Sequence, residues 1–207
     1  MEKTTVIEKK SKKKSVPKEL IYEMRKGKPI YYRDYDKVLS GEKTLEEVMG
    51  SSKIQWFLVV LIVRLLLEKL DLKKYIVATN EAGFRYAPRS WRNLDIAVFE
   101  RDKILREGID NKYVKTSPEL VIEIDTKADL RKYGDFMNYM IEKTQDLLDA
   151  GVKKVVWITT KDKKIMVAQK GERWFITDFS DTIELWEDIH LNLEELIKRE
   201  KEITTLE

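Results

Sequence analysis

The sequence predicts an α/β fold in which a mixed β-sheet is flanked by α-helices. Its 207 residues are 43% hydrophobic and 37% charged, which is typical of one globular core with a heavily ionised surface. Two patterns favour the mixed class: a long apolar helical segment at residues 53–69, followed by short β-rich runs that turn residues separate. We expect a single domain over residues 17–207, preceded by a basic tail over residues 1–16.

The predicted tail contains five clustered lysines and has few apolar residues to bury. They are Lys9, Lys10, Lys12, Lys13 and Lys14. This composition predicts a flexible, solvated end, and the alternative is an electrostatic arm for phosphate backbones, whose affinity falls as salt rises. Because no apolar stretch follows the lysines, a secretory signal is not predicted and a cytoplasmic location is expected.

The residue counts exclude several kinds of site. The absence of cysteine removes disulfides, thiolate metal sites and cysteine nucleophiles. The single histidine, His190, cannot supply a poly-histidine zinc site, and its place near the C-terminus indicates a structural residue. A net charge of +3 does not by itself indicate nucleic acid, because binding a polyanion depends on where the cations cluster.

The long helix is the most apolar segment of the chain. Ser51 or Ser52 can cap its first turn, and apolar residues surround most of its circumference. We therefore expect it to lie buried against a sheet, with solvent reaching only Arg64, Glu68 and Lys69. Its apolar part is shorter than the roughly 20 residues that a bilayer span needs, so no membrane partner is predicted.

Strands and shorter helices account for the remaining elements. Strands are predicted over residues 29–32, 75–79, 83–86, 94–99, 119–124 and 153–159, with a hairpin formed by 164–168 and 173–177. Helices are predicted over residues 44–49, 135–150 and 192–199. The helix that ends before Gly151 lies between two strands, and this order normally gives a right-handed crossover between parallel strands.

Two acidic residues stand inside otherwise apolar strands, Asp95 in LDIAVF and Glu123 in LVIEI. A carboxylate in a central strand is unfavourable to desolvate unless it is paired or binds a metal. A shared Mg²⁺ or Mn²⁺ ion would explain both, because such hard ions take carboxylate and backbone oxygens together with waters. The backbone carbonyl of Ile124 is then expected as a further ligand.

Four segments, in order, carry a resemblance to a known family: RNLDIAV at 92–98, PELVIEI at 118–124, the helix end at 143–152, and VVWI at 155–158. They resemble the segments RVPDVAV, PDLVVEV and KLxxYxxAGV, and the strand that follows them, in the Uma-type family of prokaryotic restriction endonucleases. That family is part of the PD-(D/E)XK nuclease superfamily. The resemblance covers about residues 50–197 and implies a restriction-endonuclease-like fold.

The resemblance also implies an activity, the metal-dependent hydrolysis of a DNA phosphodiester. Asp95 and Glu123 would hold Mg²⁺ or Mn²⁺, and Lys143 would orient the attacking water or stabilise the developing negative charge. Glu81 stands where the family often has an acidic residue, which makes it a candidate auxiliary metal ligand. Restriction-type enzymes that cut both strands often pair their sites, which makes a homodimer a further expectation.

The sequence departs from the family pattern at two positions. Leu94 replaces the usual proline, and Asp125 stands where the general superfamily motif places a lysine. The family is thought to use a helix lysine instead, which by position is Lys143. Because the segment that follows Glu123 is longer than is usual in the family, Lys127 is a competing candidate for the same role.

These departures leave two other functions open. One is a nucleic-acid-binding protein that keeps the fold without catalysis, which predicts DNA affinity without metal-dependent turnover. The other is an assembly module that pairs through the apolar helical residues 56–67, which predicts a stable oligomer that is indifferent to Mg²⁺. For Asp95 alone, the alternative to metal binding is a structural ion pair with Arg85, Arg89 or Arg92.

Overall fold

The computed structural model describes residues 16–203, so all but one residue of the predicted basic tail lie outside the described residues. Its helices are α1 Tyr35–Ser40, α2 Leu45–Met49, α3 Lys53–Lys69, α4 Arg101–Glu107, α5 Phe136–Asp149 and α6 Leu193–Ile203. Its strands are β1 Ile21–Arg25, β2 Lys28–Tyr31, β3 Tyr75–Ala87, β4 Ser90–Glu100, β5 Leu120–Ile124, β6 Lys154–Thr159, β7 Lys164–Gln169, β8 Phe175–Asp178, β9 Thr182–Trp186 and β10 Ile189–Asn192.

Eight of these strands form one mixed sheet. The order is β2-β1-β4-β5-β6-β7-β8, and β3 pairs with β4 outside this path. Strands β5 and β6 run parallel, with α5 as the crossover between them, while the other pairings of the sheet are antiparallel. The predicted parallel pair and the predicted hairpin, now β7 and β8, are both confirmed.

Helices cover both faces of the sheet, which confirms the predicted fold class. On one face α5 contributes Tyr139 and Leu147 to a core cluster. On the other face α3 contributes Leu58, Ile62 and Leu66, and it is joined there by α6 and the β9–β10 hairpin. Burial on both faces explains why the central strands are apolar almost throughout, since alternate side chains enter different cores.

Strand β3 is one long, irregular strand where the sequence predicts two short ones, so that prediction is wrong. Thr79 pairs with Ile96 and Ala82 with Leu94, which leaves two residues of β3 opposite one residue of β4. These two residues are Asn80 and Glu81, and both have a positive φ. This β-bulge bends the strand without ending it, and it turns the backbone beside Asp95.

Helix α3 has the predicted bounds, and the Ser52 hydroxyl accepts a hydrogen bond from the Gln55 N–H. The expectation that solvent reaches only its charged residues is wrong. Trp56, Val60 and Leu67 are each about half-exposed, at 50%, 53% and 47%. The sheet covers one side of the helix, and within residues 16–203 nothing encloses the other. No helix in this part of the chain has the length and apolar character to cross a membrane.

Several further elements were not predicted from the sequence: strand β1, helices α1 and α4, and the hairpin of β9 and β10. His190 lies in that hairpin as an exposed residue, and its Nδ1 contacts the Asp188 carbonyl at 3.0 Å. Helix α6 begins as expected, because Asn192 Oδ1 accepts the N–H of Glu195. That residues 17–207 form a single domain stays a prediction.

Adjacent leucines of α3 allow a matched test of this packing. We expect Leu66→Ala to lower the free energy of unfolding by about 2–5 kcal/mol, because it opens a cavity in the core. Leu67→Ala, at a 47% exposed position, should change it by about 0.5 kcal/mol or less. Urea unfolding followed by circular dichroism measures both, and equal losses would contradict the described orientation of the helix.

Candidate active site

Asp95 and Glu123 lie side by side on neighbouring strands. Ile96 of β4 pairs with Ile122 of β5, so the antiparallel register places the two acidic residues opposite each other one step further along. Asp95 Oδ2 accepts the backbone N–H of Ile124 at 2.8 Å, which fixes the aspartate against the end of β5. The structure therefore brings together the two carboxylates that the sequence singles out.

Glu123 is almost fully buried, at 1% exposure, and only half of its carboxylate is engaged. Its Oε2 lies 2.9 Å from Lys143 Nζ, whereas its Oε1 has no hydrogen-bond partner among the described residues. Burial raises the pKa of Glu123 well above its usual range, and the neighbouring Asp95 raises it further, against the opposing effect of Lys143. An unpartnered buried carboxylate oxygen is a position where a cation would be stabilising.

An open pocket of about 360 Å³ lies next to Asp95. Helix α3, the β3 bulge and the loop after β5 form its walls, through Gln55, Trp56, Glu81 and Lys127 among others. Lys127 Nζ forms an ion pair with Glu81 across the pocket. Glu123 and Lys143 are not among the lining residues, so they lie behind the pocket surface that Asp95 reaches.

Lys143 is fully buried, and its ammonium group is held on three sides. Nζ lies 2.9 Å from Glu23 Oε1 and 2.9 Å from Glu123 Oε2, and it donates to the Asn93 carbonyl at 2.7 Å. Burial alone would lower the pKa of Lys143, but the two carboxylates outweigh it and raise the pKa above the usual value. Lys143, the predicted catalytic lysine, thus contacts Glu123, a predicted metal ligand, but it does not line the pocket.

Glu23 is a third buried carboxylate of the site, and the sequence analysis did not find it. Besides Lys143, it binds Arg92 Nη1 at 2.7 Å, the Tyr139 hydroxyl at 2.8 Å and the Asn93 N–H at 3.2 Å. Burial raises the pKa of Glu23, but Lys143 and Arg92 outweigh this effect and lower it below the usual value. The one signal in the sequence was the position of Glu23 between two residues with apolar side chains, Tyr22 and Met24.

Arg92 belongs to this network and does not pair with Asp95. Its guanidinium binds Glu23, Glu142 and Asp146, at distances between 2.6 and 3.3 Å. Neither Arg85 nor Arg89 forms an ion pair with Asp95 within residues 16–203. The arrangement therefore does not support the alternative of a structural ion pair for the aspartate.

The other positions named from the sequence have defined partners. Gln55 Nε2 donates to the Ile124 carbonyl at 3.0 Å, which leaves one lone pair of that oxygen for a second partner. Asp125, at the position of the usual superfamily lysine, accepts the N–H of Thr160 at 2.9 Å and its hydroxyl at 2.6 Å. Asp125, directly after β5, thus has a structural role in holding the residue that follows β6, and it lies outside the pocket.

A small divalent cation fits this set of donors. Within residues 16–203 no three His, Cys, Asp or Glu side chains converge as a metal cluster, so two carboxylates and a carbonyl are what the chain offers. Mg²⁺ requires little more, because it keeps several waters and commonly uses one or two carboxylates. Burial also raises the pKa of Asp95, with Glu81 adding to it and the Ile124 N–H opposing it. A cation between the two carboxylates would offset this unfavourable negative charge.

Comparison with known proteins gives two similarities. The family model Uma2, described as "Putative restriction endonuclease", matches residues 42–197. The crystal structure of a putative nuclease belonging to DUF820 from Anabaena variabilis ATCC 29413 has a TM-score of 0.61 and 17% sequence identity, and the match covers 85% of this chain and 89% of that chain. No curated protein matches the sequence. The structural likeness confirms the restriction-endonuclease-like fold that the sequence predicts.

Two carboxylates that share Arg92 provide a test of the buried network. Glu23→Gln should lower the free energy of unfolding by about 3–5 kcal/mol, because it removes a buried charge and can point an amide donor at two cations. Glu142→Gln should cost about 1 kcal/mol or less, since Glu142 is partly exposed and Arg92 keeps its other partners. Denaturant unfolding of both variants measures the two losses of free energy. Equal losses would show that the buried network is not formed.

Proposed function

The chain belongs to the Uma2 family of restriction-endonuclease-like proteins, and from this premise we propose that it hydrolyses DNA phosphodiester bonds with Mg²⁺ or Mn²⁺ held by Asp95 and Glu123. One observation carries the proposal: a buried carboxylate oxygen of Glu123 has no partner among the described residues, and it lies beside Asp95, which lines an open pocket. A cytoplasmic location, DNA as the partner and a homodimer that cuts both strands stay predictions.

Each residue has a defined task in this proposal. Asp95 and Glu123 bind the ion through their carboxylates, and the free lone pair of the Ile124 carbonyl adds a third protein ligand. When bound, the ion polarises the phosphate and lowers the pKa of a water that it binds. Glu81, on the bulge, lines the pocket near Asp95 and serves as an auxiliary ligand.

The two lysines take different roles. Lys143 contacts Glu123 directly and is enclosed, so its task is to hold that carboxylate in place and to favour its charged form. To orient a water in the pocket, it would have to leave both of its carboxylate partners. Lys127 lines the pocket beside Asp95, where its ammonium group meets the phosphate and stabilises the negative charge that develops there.

We expect Asp95→Asn and Glu123→Gln each to lower DNA cleavage at least about a hundredfold, because each removes a charged metal ligand. The control is Asp149→Asn, an exposed position near the end of α5 that should leave cleavage unchanged. Fragment release from mixed DNA substrates with Mg²⁺ or Mn²⁺ measures activity, and titration calorimetry measures metal binding. Metal affinity that neither substitution alters would eliminate both residues as ligands.

The lysine roles are separable by comparing activity with stability. Lys127→Met should reduce kcat by about a hundredfold and affect stability less, since its partner Glu81 is partly exposed. Lys143→Met should lower the free energy of unfolding by about 3–5 kcal/mol, because it leaves two carboxylates buried without their cation. A folded Lys127→Met protein with wild-type kcat would return the catalytic role to Lys143.

One observation favours a second function, a nucleic-acid-binding protein without catalysis. The usual superfamily lysine is replaced by Asp125, which is bonded to Thr160, and Lys143 does not line the pocket. This alternative predicts DNA affinity that Asp95→Asn leaves intact, with no fragment release at any metal concentration. The cleavage assay above therefore distinguishes the two functions.

A further inference from the structure

We propose that the apolar wall of the pocket, formed by Trp56, Val59 and Val60 of α3, binds an unpaired nucleobase beside the phosphate to be cleaved. The substrate is accordingly single-stranded DNA or DNA that is locally unpaired. This inference rests on the proposed function and adds to it the structural class of DNA on which the site acts.

The pocket combines two chemically different walls. Asp95, Glu81 and Lys127 supply charge on one side, and α3 supplies an apolar surface on the other. A nucleotide has the same division, because its phosphate is charged and its base has apolar faces. The volume of about 360 Å³ suits a ligand of this size.

Trp56 is the residue of this wall suited to stacking. Trp56 is 50% exposed and Val60, which also lines the pocket, is 53% exposed, and a contiguous exposed apolar patch of this kind is typical of a ligand-binding groove. The edge-to-face contact with Phe57, with ring centroids 6.2 Å apart and planes at 82°, restrains the indole. A restrained, exposed aromatic ring is what proteins use to stack single-stranded bases.

Stacking on Trp56 requires a base that is not already stacked. In a duplex each base lies between its neighbours, and reaching a side-chain ring requires unpairing or flipping, which is unfavourable. A base in a single strand, a flap or a mismatch avoids most of that penalty. The pocket therefore selects for unpaired nucleotides next to the scissile phosphate.

A second copy of the chain is the other candidate occupant of this helix face, since Leu67 continues the exposed apolar surface. Where this helix face borders the pocket, Asn80, Glu81 and Lys127 line the same space as Trp56. These polar groups favour a nucleotide over a second copy of the chain as the occupant. An apolar helix from a second copy would remove the Glu81–Lys127 ion pair from water, which is unfavourable. Oligomeric state is nevertheless one readout of the test.

The experiment compares Trp56→Ala and Trp56→Phe with Leu67→Ala in the full chain. Leu67→Ala is the matched control, because it removes an exposed apolar side chain from the same helix about 16 Å away. Binding of a labelled oligothymidylate and of a blunt duplex is measured by fluorescence anisotropy with Ca²⁺ in place of Mg²⁺. Cleavage of both substrates is measured with Mg²⁺, and light scattering reports the oligomeric state.

We expect Trp56→Ala to bind oligothymidylate roughly tenfold more weakly, with duplex binding unchanged and Trp56→Phe close to wild type. Leu67→Ala should match the wild type throughout. Unchanged oligothymidylate binding in Trp56→Ala overturns the inference, and a dimer that dissociates in both Trp56→Ala and Leu67→Ala assigns the face to a second copy.

The same measurements distinguish failure of the proposed nuclease activity from failure of the inference about Trp56. If the wild type cuts neither substrate, the proposed activity is wrong, and the anisotropy data still decide whether Trp56 binds an unpaired base. If the wild type cuts and Trp56→Ala cuts the single-stranded substrate as fast as the wild type does, the activity stands and this inference falls.

Discussion

The contact on which the site depends is the one between Lys143 and two buried carboxylates. Glu23 comes from β1 at one side of the sheet, Glu123 comes from the central strand β5, and Lys143 comes from α5 above them. A single ammonium group thus ties together three elements that apolar packing alone would leave free to shift. Because an unpaired charge is so unfavourable in a core, any other register of these elements would be strongly destabilised.

This network also determines how the candidate ligands are presented. Arg92 neutralises Glu23 from the other side, so Lys143 is left to hold Glu123 with one oxygen engaged. Within residues 16–203 the second oxygen of Glu123 has no hydrogen-bond partner, and Asp95 is fixed by the Ile124 N–H. Contacts within the fold therefore set the positions of both carboxylates, and such preorganisation is what a catalytic site requires.

The parts of the site that the sequence predicted are those that break an apolar pattern. Asp95 and Glu123 interrupt long apolar strands, so their burial and proximity were foreseeable. Glu23 was missed, because β1 is short and its burial comes from a pairing with β4 that local pattern does not encode. The exposed face of α3 was missed for a related reason, since apolar periodicity indicates which residues could be buried but not how many neighbours exist to bury them.

The buried network joins residues that are far apart in the sequence, which affects when it forms during folding. Glu23 and Tyr139, which are hydrogen-bonded, lie 116 positions apart in the chain. Contacts of such long range form late in folding, because closing the intervening loop carries a large entropic penalty. A chain that is still emerging from the ribosome and lacks α5 has no Lys143 to neutralise Glu23 and Glu123. The buried charge network, and with it the fixed position of Glu123, is therefore completed only after α5 has been synthesised.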